Sequence, residues 1–93
     1  MSIIEKYKLI KLAKDICEIL GIDYDDVIPA KDRKRINADA RAVVAYFAYI
    51  NGFTQIQIGK LFNRDRTSIL ASIKKAVSNK EIKDKIKNIN IEL

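Results

Sequence analysis

The segment from Ile58 to Val77, with the sequence IGKLFNRDRTSILASIKKAV, constrains the fold more than any other part of the chain. Apolar residues recur at helical spacing on both sides of a polar joint that runs from Asn63 to Ser68. The residues expected to face a core are Ile58, Leu61 and Phe62 before the joint, and Ile69, Leu70, Ile73 and Val77 after it. The pattern predicts two short helices that meet at a tight turn.

The length of the chain indicates a single domain covering residues 1–93. No apolar run approaches the roughly 18 residues that a membrane span needs. The N-terminal segment lacks the uninterrupted apolar stretch of a signal peptide. The single cysteine, Cys17, lies on an apolar helix face and is expected to be a small core residue. We therefore expect a cytoplasmic protein that makes no contact with membranes.

Two features that many enzymes use are missing from the sequence. There is no histidine, which removes the commonest general base and the commonest metal ligand. The three glycines, Gly21, Gly52 and Gly59, lie too far apart to form a glycine-rich phosphate loop. The sequence thus predicts a protein that is not an enzyme, with no catalytic residue, no metal site, no cofactor and no small-molecule substrate.

Helical periodicity extends over most of the chain, and no stretch alternates as a strand would. We predict an all-α fold with five helices: Ser2–Leu20, Asn37–Ile50, Thr54–Phe62, Arg66–Val77 and a last helix from Ser78. The stripe expected to be buried on the first helix contains Ile3, Tyr7, Ile10, Ala13, Cys17 and Leu20, widened by Leu9, Leu12 and Ile16. On the second helix the expected apolar face contains Val43, Val44, Phe47 and Ile50. The connector from Ile22 to Pro29 is expected to tuck Val27 and Ile28 under the core.

Several residues have the spacing of helix caps. Ser2 with Glu5, Thr54 with Gln57, and Ser78 with Glu81 each fit a capping box. Asn37 and Asp65 are plausible single N-caps, and Asp39 would suit the first turn of its helix. A glycine within a helix costs about 1 kcal/mol relative to alanine. We therefore expect another helix to cross closely at Gly59.

Positive charge is concentrated in the middle of the chain. Residues 1–29 carry four Lys against six Asp or Glu, whereas residues 30–80 carry eleven Lys or Arg against three Asp. Residues 81–93 are balanced, with three of each sign. Such a distribution suggests a polyanionic partner, although a solvated basic surface would show the same pattern.

Two short helices with a joint of three or four residues form the helix-turn-helix pattern, here at about residues 54–78. The second helix of that motif enters the major groove of DNA with its N-terminal residues leading. Here those residues are Arg66, Thr67 and Ser68, followed one turn later by Ala71 and Ser72. Arg can donate two hydrogen bonds to guanine, and Thr or Ala can pack on a thymine methyl group. A plain helical hairpin is the alternative interpretation.

The fit to the usual helix-turn-helix template is imperfect. If Gly59 takes the small-residue position of the first helix, the apolar positions of the second helix come one residue early. A joint longer by one residue would place Leu70 and Ile73 in register.

A basic segment, AKDRKRI at residues 30–36, lies between two predicted helices and has no apolar period. We interpret it as a loop. Its arginines could enter a minor groove, contact phosphates or simply be solvated.

Most of the chain resembles the C-terminal DNA-binding domain of the bacterial replication initiator DnaA. Arg33-Lys34-Arg35 is similar to the basic loop of that family, and residues 40–47 (ARAVVAYF) are similar to its alanine-rich helix. Residues 57–62 (QIGKLF) resemble its first helix-turn-helix helix, and residues 64–70 (RDRTSIL) resemble its signature Arg-Asp-His-Thr-Thr-Val-Leu. The resemblance implies an orthogonal five-helix bundle that contains a helix-turn-helix.

The resemblance also implies which residues contact DNA. Arg33 would enter the minor groove, and Asp65, Arg66, Thr67 and Ser68 would contact bases in the major groove. The residues expected to contact phosphate are Lys31, Lys34, Arg35, Arg41, Thr54, Gln55, Lys60, Arg64, Ser72, Lys74 and Lys75. Two departures from the signature matter: Arg66 replaces the histidine and Ser68 replaces a threonine, so the preferred sequence is expected to differ from a DnaA box. The ATPase module of the family is also missing, which indicates a free-standing DNA-binding module.

We therefore expect sequence-specific binding of double-stranded DNA, in regulation of replication initiation or of transcription, by a nucleoid-associated protein. The alternative is a protein–protein interaction module that docks on a replication or transcription protein. A monomer is expected, because no exposed apolar stripe is left once the core is assigned.

Overall fold

A computed structural model describes residues 2–29 and 34–89 of the chain. Within these ranges the chain forms α-helices and no strand, which confirms the all-α class. The helices are α1 (Ile3–Leu20), α2 (Tyr24–Val27), α3 (Arg35–Ile50), α4 (Gln55–Phe62), α5 (Arg66–Ser78) and α6 (Lys80–Lys87). The described ranges thus hold six helices rather than five, because the connector contains the short α2. None of these helices has both the length and the hydrophobicity needed to cross a membrane.

Helix α1 is capped at both ends, and its N-cap is Ser2, where the sequence predicts a cap. The Ser2 hydroxyl accepts a hydrogen bond from the N–H of Glu5 at 3.1 Å, and Gly21 ends the helix with a left-handed φ of 72°. The side chains that α1 buries are Leu9, Leu12, Ala13, Ile16 and Cys17. Burial of Cys17 confirms its expected place in the core.

Residues 3–8 at the start of α1 lie outside the core, contrary to the expected stripe. Ile3 is 89% exposed and Tyr7 is 67% exposed, and Ile4 beside them is also exposed. The expectation that no apolar stripe would be left on the surface is therefore wrong. Because the expected monomer depended on the absence of such a stripe, the reason for expecting a monomer no longer holds.

Helix α3 is the centre of the fold and contacts the other five helices. Its small side chains let neighbouring helices approach closely, since Ala40, Ala42, Ala45 and Ala48 are all buried. The expected apolar face is correct for Val43 and Val44, but Phe47 is only partly buried and Ile50 at the C-terminal end is exposed.

The start of α3 differs from the prediction. The helix begins at Arg35, so the N-cap position is Lys34, whose side chain makes no capping hydrogen bond. Asn37 is not the cap but a buried residue of the first turn. Residues 35 and 36 of the expected basic loop are therefore helical. Asp39 is buried among cations rather than exposed in the first turn.

Helix α6 covers one end of the α3–α5 pair. It begins after Asn79, whose Oδ1 accepts a hydrogen bond from the N–H of Ile82 at 3.2 Å. The predicted cap, Ser78, is instead the last residue of α5, and its hydroxyl donates to the carbonyl of Lys74 at 2.8 Å. Ile82 is fully buried, so α6 is held by a narrow apolar face.

Candidate nucleic-acid interface

The joint between α4 and α5 consists of Asn63, Arg64 and Asp65. Asn63 adopts the left-handed conformation, with φ 56°, which asparagine tolerates better than most residues. The N–H of Arg64 donates to the carbonyl of Gly59 at 2.9 Å. Asp65 caps α5, since its Oδ1 accepts a hydrogen bond from the N–H of Ser68 at 2.8 Å. Local interactions thus set the turn.

A glycine is required at position 59 because the backbone of the turn lies close to it. A Cβ at this position would lie 2.6 Å from the carbonyl oxygen of Arg64 and 3.6 Å from Cγ1 of Ile69. The expected packing reason for the glycine is confirmed, but the nearest neighbour is the carbonyl of the turn rather than a crossing helix. The absent side chain lets the turn fold back against α4.

The first helix of the pair is fixed by a complete capping box. The Thr54 hydroxyl accepts from the N–H of Gln57 at 3.1 Å, and Oε1 of Gln57 accepts from the N–H of Thr54 at 2.9 Å. Nε2 of Gln57 also donates to Oε2 of Glu5 at 3.3 Å, which links α4 to the start of α1. Ile58 and Phe62 are buried, so α4 is held against the core as predicted.

The buried face of α5 consists of Ile69, Ile73 and Ala76. At about 100° per residue, the side of the helix opposite to this face carries Thr67, Ala71, Lys74 and Ser78, all of which are exposed. Except for Lys74, the side chains of this outer face are short. The face therefore lets the helix backbone come close to a partner surface.

Two flanks border the outer face of α5. Ser68, Ser72 and Lys75 line a shallow depression together with Ala38 and Arg41 of α3. On the other flank, Arg66 borders depressions that are also lined by residues of α4, among them Ile56 and Lys60. The residues expected to contact bases therefore do not share one face of α5, because Arg66 and Ser68 lie on different flanks with Thr67 between them.

Leu70 and Val77 do not lie in the core, contrary to prediction. They lie on the same flank as Arg66 and are 37% and 47% exposed. The alternative register, with Leu70 in a buried position, is therefore wrong. Ile69 takes that position because the side-chain-free surface of Gly59 lies against it. In the sequence, the helical spacing of Ile69, Ile73 and Ala76 already indicated this buried face.

Four cations around the joint are exposed and have no acidic partner within 4.0 Å in the part of the chain that the structure describes. They are Lys60, Arg64, Arg66 and Lys74. The sequence predicts each of them as a DNA contact. Their charge is available to an external anion.

Arg41, also expected to contact phosphate, is 7% exposed. Its Nε donates to the carbonyl of Val27 at 2.8 Å, and its Nη2 donates to the carbonyl of Asp26 at 3.3 Å. The side chain ties α2 to α3 from within. We therefore correct its role to a structural one.

Two other expected phosphate contacts have partners within the protein. Nζ of Lys75 lies 3.1 Å from Oδ1 of Asp39, and Nη2 of Arg35 lies 2.7 Å from Oε2 of Glu81. Thr54 is exposed and Gln55 is half-buried at the start of α4. Lys34 is exposed directly before α3. Lys31 and Arg33 lie outside the described residues.

The surroundings of Asp65 and Cys17 shift their pKa values. The hydrogen bond from the backbone N–H of Ser68 holds the pKa of Asp65 below its usual value, so this exposed group is a carboxylate near neutral pH. An ionised carboxylate has more than one acceptor site, so capping leaves Asp65 able to accept a second hydrogen bond. Burial raises the pKa of Cys17 to about 11, which keeps this thiol neutral and unreactive.

The chain was compared with family models, with curated proteins and with solved structures, and none of the three comparisons found a match. The likeness to the DnaA domain therefore rests on the residues of the sequence alone.

Proposed function

We propose that the protein binds double-stranded DNA in a sequence-specific manner through α4, the turn and α5, acting as a helix-turn-helix. The observation that carries the proposal is the exposed N-terminal end and outer face of α5. Hydrogen-bonding side chains lead this face, small residues follow, and cations without acidic partners flank it among the described residues. The major groove of B-DNA accepts an α-helix of this kind.

In this arrangement each exposed residue has a physical role. Arg66 can donate two hydrogen bonds to guanine, and Asp65 can accept one from cytosine while it caps α5. Thr67 and Ala71 can pack on thymine methyl groups, and Ser68 can donate or accept a hydrogen bond at a base edge. Bases are thus read from both the start and the outer face of the helix.

The sequence-independent part of the affinity would come from cations around this face. Lys60, Arg64 and Lys74 are exposed and positioned to contact phosphates on either side of the groove. Lys34, directly before α3, would supply a second basic region together with Lys31 and Arg33, which precede it in the sequence. If about five to seven phosphates are neutralised, log affinity should fall with log salt at a slope of roughly −4.5 to −6.

Likeness to the DnaA domain supports a role in regulation of replication initiation or of transcription, by a nucleoid-associated protein. Selection from a pool of random duplexes with the purified protein tests the proposal. We expect enrichment of a short motif, and a motif related to the DnaA box would support the family assignment. Failure to enrich any motif at any salt concentration would rule out sequence-specific binding.

A second candidate function is docking on another protein. The exposed apolar residues Ile3, Ile4 and Tyr7 at the start of α1 favour it, because clustered apolar exposure is typical of interaction surfaces. This function predicts no retardation of DNA at about 0.1 M salt. It also predicts that the Thr67→Asp variant keeps its biological activity, whereas DNA binding by α5 predicts that the added charge abolishes it.

A further inference from the structure

Asp39 is a buried carboxylate surrounded by cations from three helices. Its side chain is 7% exposed. Nζ of Lys75 in α5 lies 3.1 Å from its Oδ1, while Nε of Arg35 in α3 and Nζ of Lys85 in α6 each lie 3.9 Å from its Oδ2. A buried charge is costly unless it is paired, so these cations are held where they compensate it.

The cluster removes positive charge from the side of the fold that we propose faces DNA. Arg35 has a second acidic neighbour in Glu81, at 2.7 Å. Three cations and two carboxylates therefore give this region a net charge of +1, where the cations alone would give +3. Lys75 is the cation held most closely, and it lies on the α3-facing flank of α5 beside Ser68 and Ser72.

Lys74 and Lys75 form a natural pair for comparison. They are adjacent in α5, but Lys74 lies on the outer face and has no acidic partner among the described residues. Lys75 is bound to Asp39. If phosphates approach α5, the two lysines should respond differently although they share charge, length and helix.

We propose that Asp39 limits the sequence-independent part of DNA affinity by withholding Lys75, and to a lesser degree Arg35 and Lys85, from phosphates. The inference rests on the proposed function. Each cation that binds a phosphate releases a counterion and steepens the dependence of affinity on salt by about 0.9. A carboxylate that holds such a cation within the protein therefore sets how many phosphates the domain can neutralise.

The test measures affinity for one random-sequence duplex and one selected duplex at several salt concentrations. Lys74→Gln should make the salt slope shallower by about one, whereas Lys75→Gln should leave it nearly unchanged. Asp39→Asn keeps the shape of the side chain but releases its cations, so the slope should become steeper by about one to two on both duplexes. In Asp39→Asn with Lys75→Gln, that gain should shrink by about one. Thermal unfolding followed by circular dichroism shows whether each variant is folded.

If Lys74→Gln and Lys75→Gln made the salt slope shallower by the same amount, the inference would be overturned, because Lys75 would then already contact phosphate. A folded Asp39→Asn variant with an unchanged slope and only a lower melting temperature would overturn it as well, since a merely structural role predicts that result. If Asp39→Asn does not fold, the comparison of the two lysine variants decides. Absence of binding by the wild-type protein at every salt concentration would overturn the proposed function and the inference together. If the wild-type protein binds DNA but the two lysine variants change the salt slope equally, the inference is overturned and the proposed function is not.

Discussion

The carbonyl oxygen of Arg64 lies 2.6 Å from the position that a Cβ on Gly59 would take. The same two residues are joined by a hydrogen bond of 2.9 Å from the N–H of Arg64 to the carbonyl of Gly59. The turn is thus folded directly onto the last turn of α4. Its position fixes where α5 begins.

Replacing Gly59 with alanine should therefore destabilise the protein, although alanine is the better helix former. Crowding against a backbone atom typically costs about 1–3 kcal/mol, and the gain in helix propensity offsets about 1 kcal/mol of it. We expect a net decrease of up to about 2 kcal/mol in the free energy of unfolding, together with weaker DNA binding because the turn is displaced. Urea denaturation and a DNA titration measure the two effects.

Gly21→Ala is the matched control. Gly21 has a φ of 72°, and no atom lies within 4 Å of the place that a Cβ would occupy, so alanine there meets backbone strain and no crowding. The free energy of unfolding should fall by roughly 1–2 kcal/mol while DNA affinity stays unchanged. Equal effects of the two variants on DNA affinity would show that the turn geometry is not what matters.

Asp65 combines a cap with a proposed base contact, and Asp65→Asn separates them. Asparagine keeps an oxygen that can accept from the N–H of Ser68, so helix stability at neutral pH should change little. Loss of the carboxylate should weaken binding to the selected duplex by about 5- to 150-fold if it accepts from cytosine. Unchanged affinity would assign Asp65 to capping alone.

Acid should also weaken the cap at Asp65. Because the folded-state pKa lies below the usual value of 3.8, the contribution of this group to stability is fully present above that value. It is lost as the pH falls through the lower folded-state pKa. Between pH 7 and pH 2 the wild type should therefore lose the small excess in unfolding free energy that the ionised carboxylate gives it over Asp65→Asn, and unfolding of both proteins across this pH range measures that difference.

Arg66 replaces the histidine of the DnaA signature, and we expect it to contact a base. Arg66→Ala should cost about 1–3 kcal/mol on the selected duplex and relax the preference at one base pair. Lys60→Ala is the comparison, since it should weaken all sequences alike and make the salt slope shallower by about one. Equal losses on random and selected DNA for Arg66→Ala would argue against base reading.

Arg41 and Arg64 are both arginines in the basic region, but their surroundings predict opposite results. Arg41→Met leaves two carbonyl groups of α2 without a charged donor and should lower the free energy of unfolding by about 1.5–3 kcal/mol. Arg64→Gln changes an exposed side chain and should alter stability by less than about 0.5 kcal/mol. Only Arg64→Gln should make the salt slope of DNA binding shallower.

The two halves of α1 should respond differently to substitution. Leu12 is fully buried, so Leu12→Ala should cost about 2–5 kcal/mol of unfolding free energy. Tyr7 lies on the exposed first part of the helix, and Tyr7→Ser should cost less than about 0.5 kcal/mol. A large loss in Tyr7→Ser would indicate that this surface is covered, for instance by a second copy of the chain.

Local features of the joint could be predicted from the sequence because they depend on residues three or four positions apart. The left-handed Asn63, the Asp65 cap and the capping box of Thr54 and Gln57 all occur where their patterns place them. Ser78 shows how local patterns fail: Asn79 next to it offers an equivalent cap, and the chain uses that one.

Burial was harder to predict where the helix stripe is wide. At about 100° per residue, Ile69, Leu70, Ile73, Ala76 and Val77 span roughly 120° of the circumference of α5. This arc is wider than the face formed by Ile69, Ile73 and Ala76 that the helix buries, so periodicity could not determine which part faces the core. The contact between Ile69 and the bare surface of Gly59 decides it, and Leu70 and Val77 are left outside. For the same reason, an exposed start of α1 could not be distinguished from a buried one.

The all-α class, the turn between α4 and α5 and the exposed donors at the start of α5 could be predicted from the sequence, since they follow from short-range hydrogen bonds and helical periodicity. Which charges are available to a partner depends instead on tertiary packing. Arg41 is bound to α2, fourteen residues earlier in the chain, and Asp39 holds Lys75 from a neighbouring helix. Such pairings depend on how helices pack across the core, and no local pattern in the chain records them.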